Sequence, residues 1–208
     1  SAILILSGII LSSGMRFYLA TQRFVLSAAI LGSILLIAVL MGGSNEEFIA
    51  SFNTLMSPIL ETKEPYQAII ASGKEAGWGW DGNIDWNQTW LVSNWPFLPL
   101  IGAAFSIAIG GEVKSVEKSQ TYGMLGAIIL ATIIWVITIT LCLDVFGYEF
   151  LGTAAFNLLT GVGVQVDPTI TLLAGVLTGS AVVCVLVSLG FIFWMWMWIP
   201  GMQTFGVR

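Results

Sequence analysis

The chain has 208 residues, of which 57% are hydrophobic and only 9% charged, with no histidine and a formal net charge of −5. Against roughly 25% charged residues in an ordinary soluble domain, this composition excludes a chain that folds alone in water. So few Lys and Arg exclude nucleic acid as a partner, and the lack of histidine removes the commonest haem and metal ligand.

In chain order, residues 2–11 form a short apolar run that ends at Ser12-Ser13-Gly14. At 1.5 Å per residue it covers roughly half of a bilayer's hydrocarbon core. A signal peptide would want a basic start and a small-residue cleavage site. Ser1 is neither basic nor an initiator methionine. The expectation is therefore the inner half of a helix that begins upstream. The chain would be an internal piece of a longer protein, with the remaining helices as its partners.

Four longer stretches follow, 24–41, 90–109, 124–143 and 170–199, and none contains a charged side chain. A run of roughly 18 or more such residues predicts a transmembrane helix. The predicted fold is all-α and integral to the lipid bilayer, a multi-pass bundle in one membrane domain. Cys142 and Cys184 both fall inside these stretches and read as small apolar packing residues. Gly175 and Gly179 are spaced for close helix approach within the bundle.

The loops between the stretches carry the orientation. Arg16, Arg23, Lys114, Lys118 and Arg208 fall on one side if the helices alternate. The other side holds the 42–89 loop, where Lys63 and Lys74 stand among seven acids, and the 144–169 loop, with Asp144, Glu149, Asp167 and no base. Five basic residues against two is the positive-inside pattern. Residues 12–23, 110–123 and the C-terminus are expected to be cytoplasmic, with 42–89 and 144–169 outside the cell membrane.

The outer 42–89 loop carries Trp78, Trp80 and Trp86, with Trp90 and Trp95 just beyond. Tryptophan prefers the headgroup level, where its ring is apolar and its N–H stays wet. The loop reads as interface-hugging, with a short helix over 46–56; a binding lid is the alternative. Asn87-Gln88-Thr89 is a sequon on this face, which makes Asn87 a candidate glycosylation site. Trp194, Trp196 and Trp198 read as anchors at the inner interface.

The second stretch is the unusual one. Pro96 and Pro99 precede Leu100-Ile101-Gly102-Ala103-Ala104. Proline removes a backbone donor and glycine weakens helical bonding, so an interruption is predicted near 100–104. Discontinuous helices are how many transporters present bare backbone to a substrate. A merely kinked packing helix fits these residues equally well.

Gly102-Ala103-Ala104-Phe105, a short apolar stretch, and Gly111-Glu112-Val113-Lys114-Ser115-Val116-Glu117-Lys118 resemble the sixth helix and following loop of amino acid–polyamine–organocation permeases. Glu112, Val113, Lys114 and Lys118 match that loop, while Val116 stands where proline is common. Residues 23–41 resemble the family's fifth helix, and 191–203, with its Trp-Met-Trp-Met-Trp-Ile-Pro-Gly string, the end of the eighth. The resemblance covers essentially the whole chain. It implies a 5+5 inverted-repeat transporter fold, of which this chain holds part of helix four through helix eight.

It implies further that Phe97, Leu100, Ile101, Gly102, Ala103, Ala104 and Phe105 line an amino acid substrate. Gly102 would admit backbone closely, with Phe97 and Phe105 as aromatic gates. Apolar Ala104, where some members are polar or acidic, points to a neutral or hydrophobic amino acid. Hydroxyls on the eighth helix ligate sodium in this fold, so Thr178 and Ser180 become candidate ion ligands; helix packing or bonding to an i−4 carbonyl is the plain alternative. The lysine that some proton-coupled relatives place in helix five is missing, which leaves the coupling ion, Na+ or H+, open. Glu112, Lys114, Glu117 and Lys118 read either as an inner gate or as a solvated loop.

The expected function is a secondary active transporter working by alternating access. The alternative is a structural or accessory subunit of a larger membrane complex. No histidine, no cofactor motif and no cluster of titratable groups within the spans support catalysis, so an enzyme is not expected.

Overall fold

The computed structural model describes residues 2–79, 85–101 and 115–207, and among them the chain is helical with no strand. The order is α1 (Ala2–Ser12), α2 (Met15–Gly42), α3 (Asn45–Leu60), α4 (Pro65–Glu75), α5 (Trp86–Ile101), α6 (Val116–Cys142), a π-helical turn (Leu143–Gly147), α7 (Tyr148–Thr160), α8 (Ile170–Thr178) and α9 (Ala181–Val207). Among the described residues two helical runs are long and apolar enough to cross a membrane, Arg16–Gly42 and Val116–Thr160. The 28 residues of α2 reach about 42 Å, beyond a hydrocarbon core of about 30 Å. In α6 a stripe through Met124, Ile128, Ala131, Trp135 and Thr138 is half-buried, Cys142 is buried, and the other described faces expose apolar side chains. A helix apolar all round needs lipid or further helices about it.

The expected span 24–41 lies inside α2, and 124–143 runs through α6 to the first residue of the π-helical turn; both helices begin earlier than hydropathy indicates. The 90–109 stretch is described only as far as Ile101; α5 starts at Trp86 and passes helically through Pro96 and Pro99. Residues 102–109 lie outside the described part. Two expectations are corrected. The 170–199 stretch is not one helix but two, α8 and α9, parted at Gly179 and Ser180. The 42–89 segment is not mainly loop, since α3 and α4 occupy most of its described residues.

The chain divides into two compact units. The first comprises Ser1–Leu31, Ile84–Trp135 and Gly190–Arg208. In it Ile10, Tyr18, Val25 and Ala29 are buried, and Phe24 meets Phe193 edge to face with centroids 6.1 Å apart.

The second comprises Gly32–Asn83 and Val136–Leu189. Its local structure follows from short-range chemistry. Ser44 caps α3 with a capping box: its Oγ accepts from the Glu47 amide, and the Ser44 amide donates to Glu47 Oε2. Acidic Glu46 and Glu47 sit at the positive end of the helix dipole. Pro65 occupies the first turn of α4, where its missing N–H costs nothing.

Spacing of i, i+4 then places Phe48 with Phe52 on one face of α3, while Phe146 in the π-helical turn and Phe150 in α7 reach the same core from either side of Gly147. These rings and Tyr66 form the centre of the core. Phe48 and Phe146 lie 4.8 Å apart, and Tyr66 stacks on Phe150 at 4.7 Å, nearly parallel. Leu36 and Leu40 from α2, Leu173, Ala174 and Val176 from α8, and Val187 from α9 close around them. Each buried ring contributes about 1.5–3 kcal/mol through the apolar surface it removes from water.

Candidate functional site at a helix break

Within the second unit, the fourth apolar stretch is interrupted at Gly179. The sequence Leu177-Thr178-Gly179-Ser180 explains why. Gly179 adopts φ 61°, ψ 18°, a left-handed conformation that costs glycine little and ends the helix. The Gly179 amide donates to Val176 O at 3.2 Å and the Ser180 amide to Gly175 O at 3.1 Å, which satisfies carbonyls at the end of α8. Ser180 then starts α9: its Oγ accepts from the Val183 amide at 3.4 Å and its carbonyl from the Cys184 amide at 3.2 Å.

The two helices fold sharply against each other here. A Cβ built on Gly175 would stand 2.7 Å from Cys184 Cβ and 3.5 Å from its Cα, although nine positions separate the two residues. In one continuous helix they would lie about 13.5 Å apart. Gly175 is thus the residue that allows the corner, a close approach made within one chain.

Thr178 and Ser180, the two candidate ion ligands, flank the break. Thr178 is exposed and Ser180 half-buried. Thr178 Oγ1 donates to Ala174 O at 3.0 Å and to Gly175 O at 3.3 Å, the i−4 and i−3 carbonyls of its own helix. Thr178 Oγ1 donates its proton and so keeps its lone pairs for a cation, whereas Ser180 Oγ already accepts from the Val183 amide. Among the described residues no group of three or more His, Cys, Asp or Glu is placed to hold a metal.

Of the residues expected to line the substrate, Phe97, Leu100 and Ile101 fall on helical backbone near the end of α5, in the first unit. Gly102, Ala103, Ala104 and Phe105, and Glu112, Val113 and Lys114 of the loop motif, lie outside the described residues. Lys118 is exposed in the first turn of α6, next to Glu117. Asn87 is exposed in the first turn of α5, where Asp85 Oδ1 accepts from its amide at 2.9 Å and from that of Gln88 at 3.1 Å.

Sequence reasoning passed over the polar joints of the second unit. The π-helical turn after α6 ends at Gly147, with φ 88°. Its carbonyls are collected by side chains from far along the chain. Asn45 Nδ2 donates to Val145 O at 2.9 Å, and the Tyr66 hydroxyl to Phe146 O at 3.0 Å. Burial pushes the Tyr66 phenol above its ordinary value of 10.0; a hydrogen bond with Asn45 opposes this and the Glu149 charge adds to it. A second joint centres on Asn157, which is fully buried. Its Nδ2 donates to Ser72 Oγ at 3.0 Å and Val164 O at 3.2 Å, tying α4, α7 and the segment after α7 together. Asn157 Oδ1 has no partner among the described residues. An Asn or Tyr between apolar neighbours is the available signal for such joints, but it does not reveal its partner.

No family model, no curated protein and no solved structure matches this chain.

Proposed function

We propose that this chain belongs to an integral membrane protein that moves neutral or hydrophobic amino acids across the cell membrane by alternating access. The observation that carries the reading is a charge-free apolar segment broken at Gly179 by a left-handed residue, with hydroxyls on both sides. In a bilayer such a break is tolerated only where it meets protein or a water-filled cavity, and transporters place their solutes and ions at such points. The two long apolar helical runs and the resemblance of the Glu112–Lys118 region to a permease loop support the same reading. Phe97 and 100–105 would contact the substrate, and Thr178 and Ser180 a coupling cation. The 42–89 and 144–169 segments would face outward.

The test is uptake of labelled neutral amino acids into proteoliposomes. Saturable uptake is expected, and its absence would sink the proposal. Gly102→Leu is expected to abolish uptake while the protein still inserts, and normal uptake by that variant would remove Gly102 from the substrate site. An accessory, purely packing role is the second reading. It is favoured by the Thr178 hydroxyl bonding to its own helix and by the tight Gly175–Cys184 approach. It predicts co-purification with partner subunits and no uptake.

A further inference from the structure

The helix break is held from a second direction, by the junction between α2 and α3. A Cβ built on Gly43 would lie 2.6 Å from Leu177 Cδ2, 3.0 Å from Cδ1 and 3.1 Å from Cγ. The whole isobutyl branch lies across that glycine, so turning one methyl group cannot clear it. Leu177 itself packs against the buried core and directly precedes Thr178. On α8, Leu173, Ala174 and Val176 are buried in the same core, and Gly175 abuts Cys184. The nine residues of α8 are thereby gripped by the core, by the α2–α3 junction and by α9; Leu172 is exposed on its free face, and Thr178 and Gly179 are exposed at its end. Closely packed interiors transmit displacement instead of absorbing it.

We propose that α8 is a rigid lever by which the α2–α3 junction sets the position of the break at 178–180. Displacing Leu177 at Gly43 moves the exposed end of α8, because Gly175 against Cys184 fixes the pivot. The mechanical coupling stands on these contacts alone. Its use as regulation of an ion or substrate site rests on the transport reading above.

The glycine next door provides a control. A Cβ on Gly42 meets nothing within 4 Å, whereas one on Gly43 strikes Leu177. The experiment uses the protein reconstituted in bilayers, with Cys142→Ala and Cys184→Ala; the latter keeps the Cβ that touches Gly175. Thr178→Cys is then labelled with a maleimide. Gly43→Ala is expected to change the labelling rate by on the order of threefold or more. Gly42→Ala should leave it unchanged, and Leu177→Ala added to Gly43→Ala should restore it. Equal rates in the two glycine variants, or no restoration, overturn the lever. If Gly43→Ala does not fold, Leu177→Ala alone must shift the rate, and an unchanged rate overturns the proposal equally. Uptake by the matching proteins that keep the native Thr178, run in parallel, separates the two ideas. Coupled labelling without uptake sinks transport and leaves the lever, and uptake with uncoupled labelling does the reverse.

Discussion

Tyr66 joins three kinds of interaction in one buried side chain. Its ring stacks on Phe150, its hydroxyl donates to Phe146 O, and its amide donates to Asn53 Oδ1 at 2.9 Å. Tyr66→Phe keeps the ring and leaves the Phe146 carbonyl buried without that donor, at a cost of about 1–3 kcal/mol. A lower thermal unfolding midpoint in detergent measures the loss. The phenol's pKa is raised in the folded state, so the fold favours the neutral form. That stabilisation is fully present below the ordinary value of 10.0 and is lost as pH rises through the higher folded value. The unfolding midpoint should therefore hold through neutral pH and fall above about pH 10, and Tyr66→Phe should lessen the fall. An equally steep fall in the variant would assign it to another group. Lys74 and Glu149 form a 2.9 Å ion pair, yet their side chains are 48% and 55% exposed. Water screens the pair, so Lys74→Met should cost only about 0.2–1 kcal/mol. None of these partners was legible, because a tyrosine in an amphipathic stretch looks the same whether its hydroxyl meets water or a carbonyl 80 positions away.

Individual helices were legible where the chemistry is local. Ser44-Asn45-Glu46-Glu47 is a capping box in sequence and in space, and the helix expected over 46–56 is realised as α3. Ser44→Ala should cost about 0.5–2 kcal/mol, detected as faster amide exchange in the first turn of α3. The break in the 170–199 stretch was not legible. Hydropathy sums apolarity over a window, and Gly179-Ser180 barely lowers the sum although glycine's left-handed backbone ends a helix. Gly175→Ala tests the corner directly. Its new Cβ meets Cys184 Cβ rather than the tip of a flexible side chain, so α8 and α9 must separate. Overpacking of this kind costs about 1–3 kcal/mol and should appear as a lower unfolding midpoint; an unchanged midpoint would mean the corner yields freely.

At the scale of the molecule, the second unit folds around shared aromatic residues drawn from both of its chain segments. Phe150 touches Phe48, Phe52 and Tyr66 and is fully buried. Phe150→Ala should cost about 3–5 kcal/mol, and amides of α3, α4 and α7 should lose exchange protection together. Loss confined to α7 would show that the two chain segments fold independently. As for the candidate site, Thr178 and Ser180 were singled out in sequence for their hydroxyls. What was missed is that they flank a corner, since that depends on Gly175 meeting a helix that follows the break.

The sequence by itself determined the class of this protein, helical and rich in charge-free apolar spans, because hydropathy and helix capping act over a few neighbouring residues. Tertiary structure decided where the last apolar stretch breaks, and that two segments far apart in the chain form one packed unit. Both outcomes rest on contacts between distant residues, such as Asn45 with Val145, 100 positions apart. A buried polar group or a bare glycine takes its meaning from the partner the fold brings to it, and a local reading of the chain does not contain that partner.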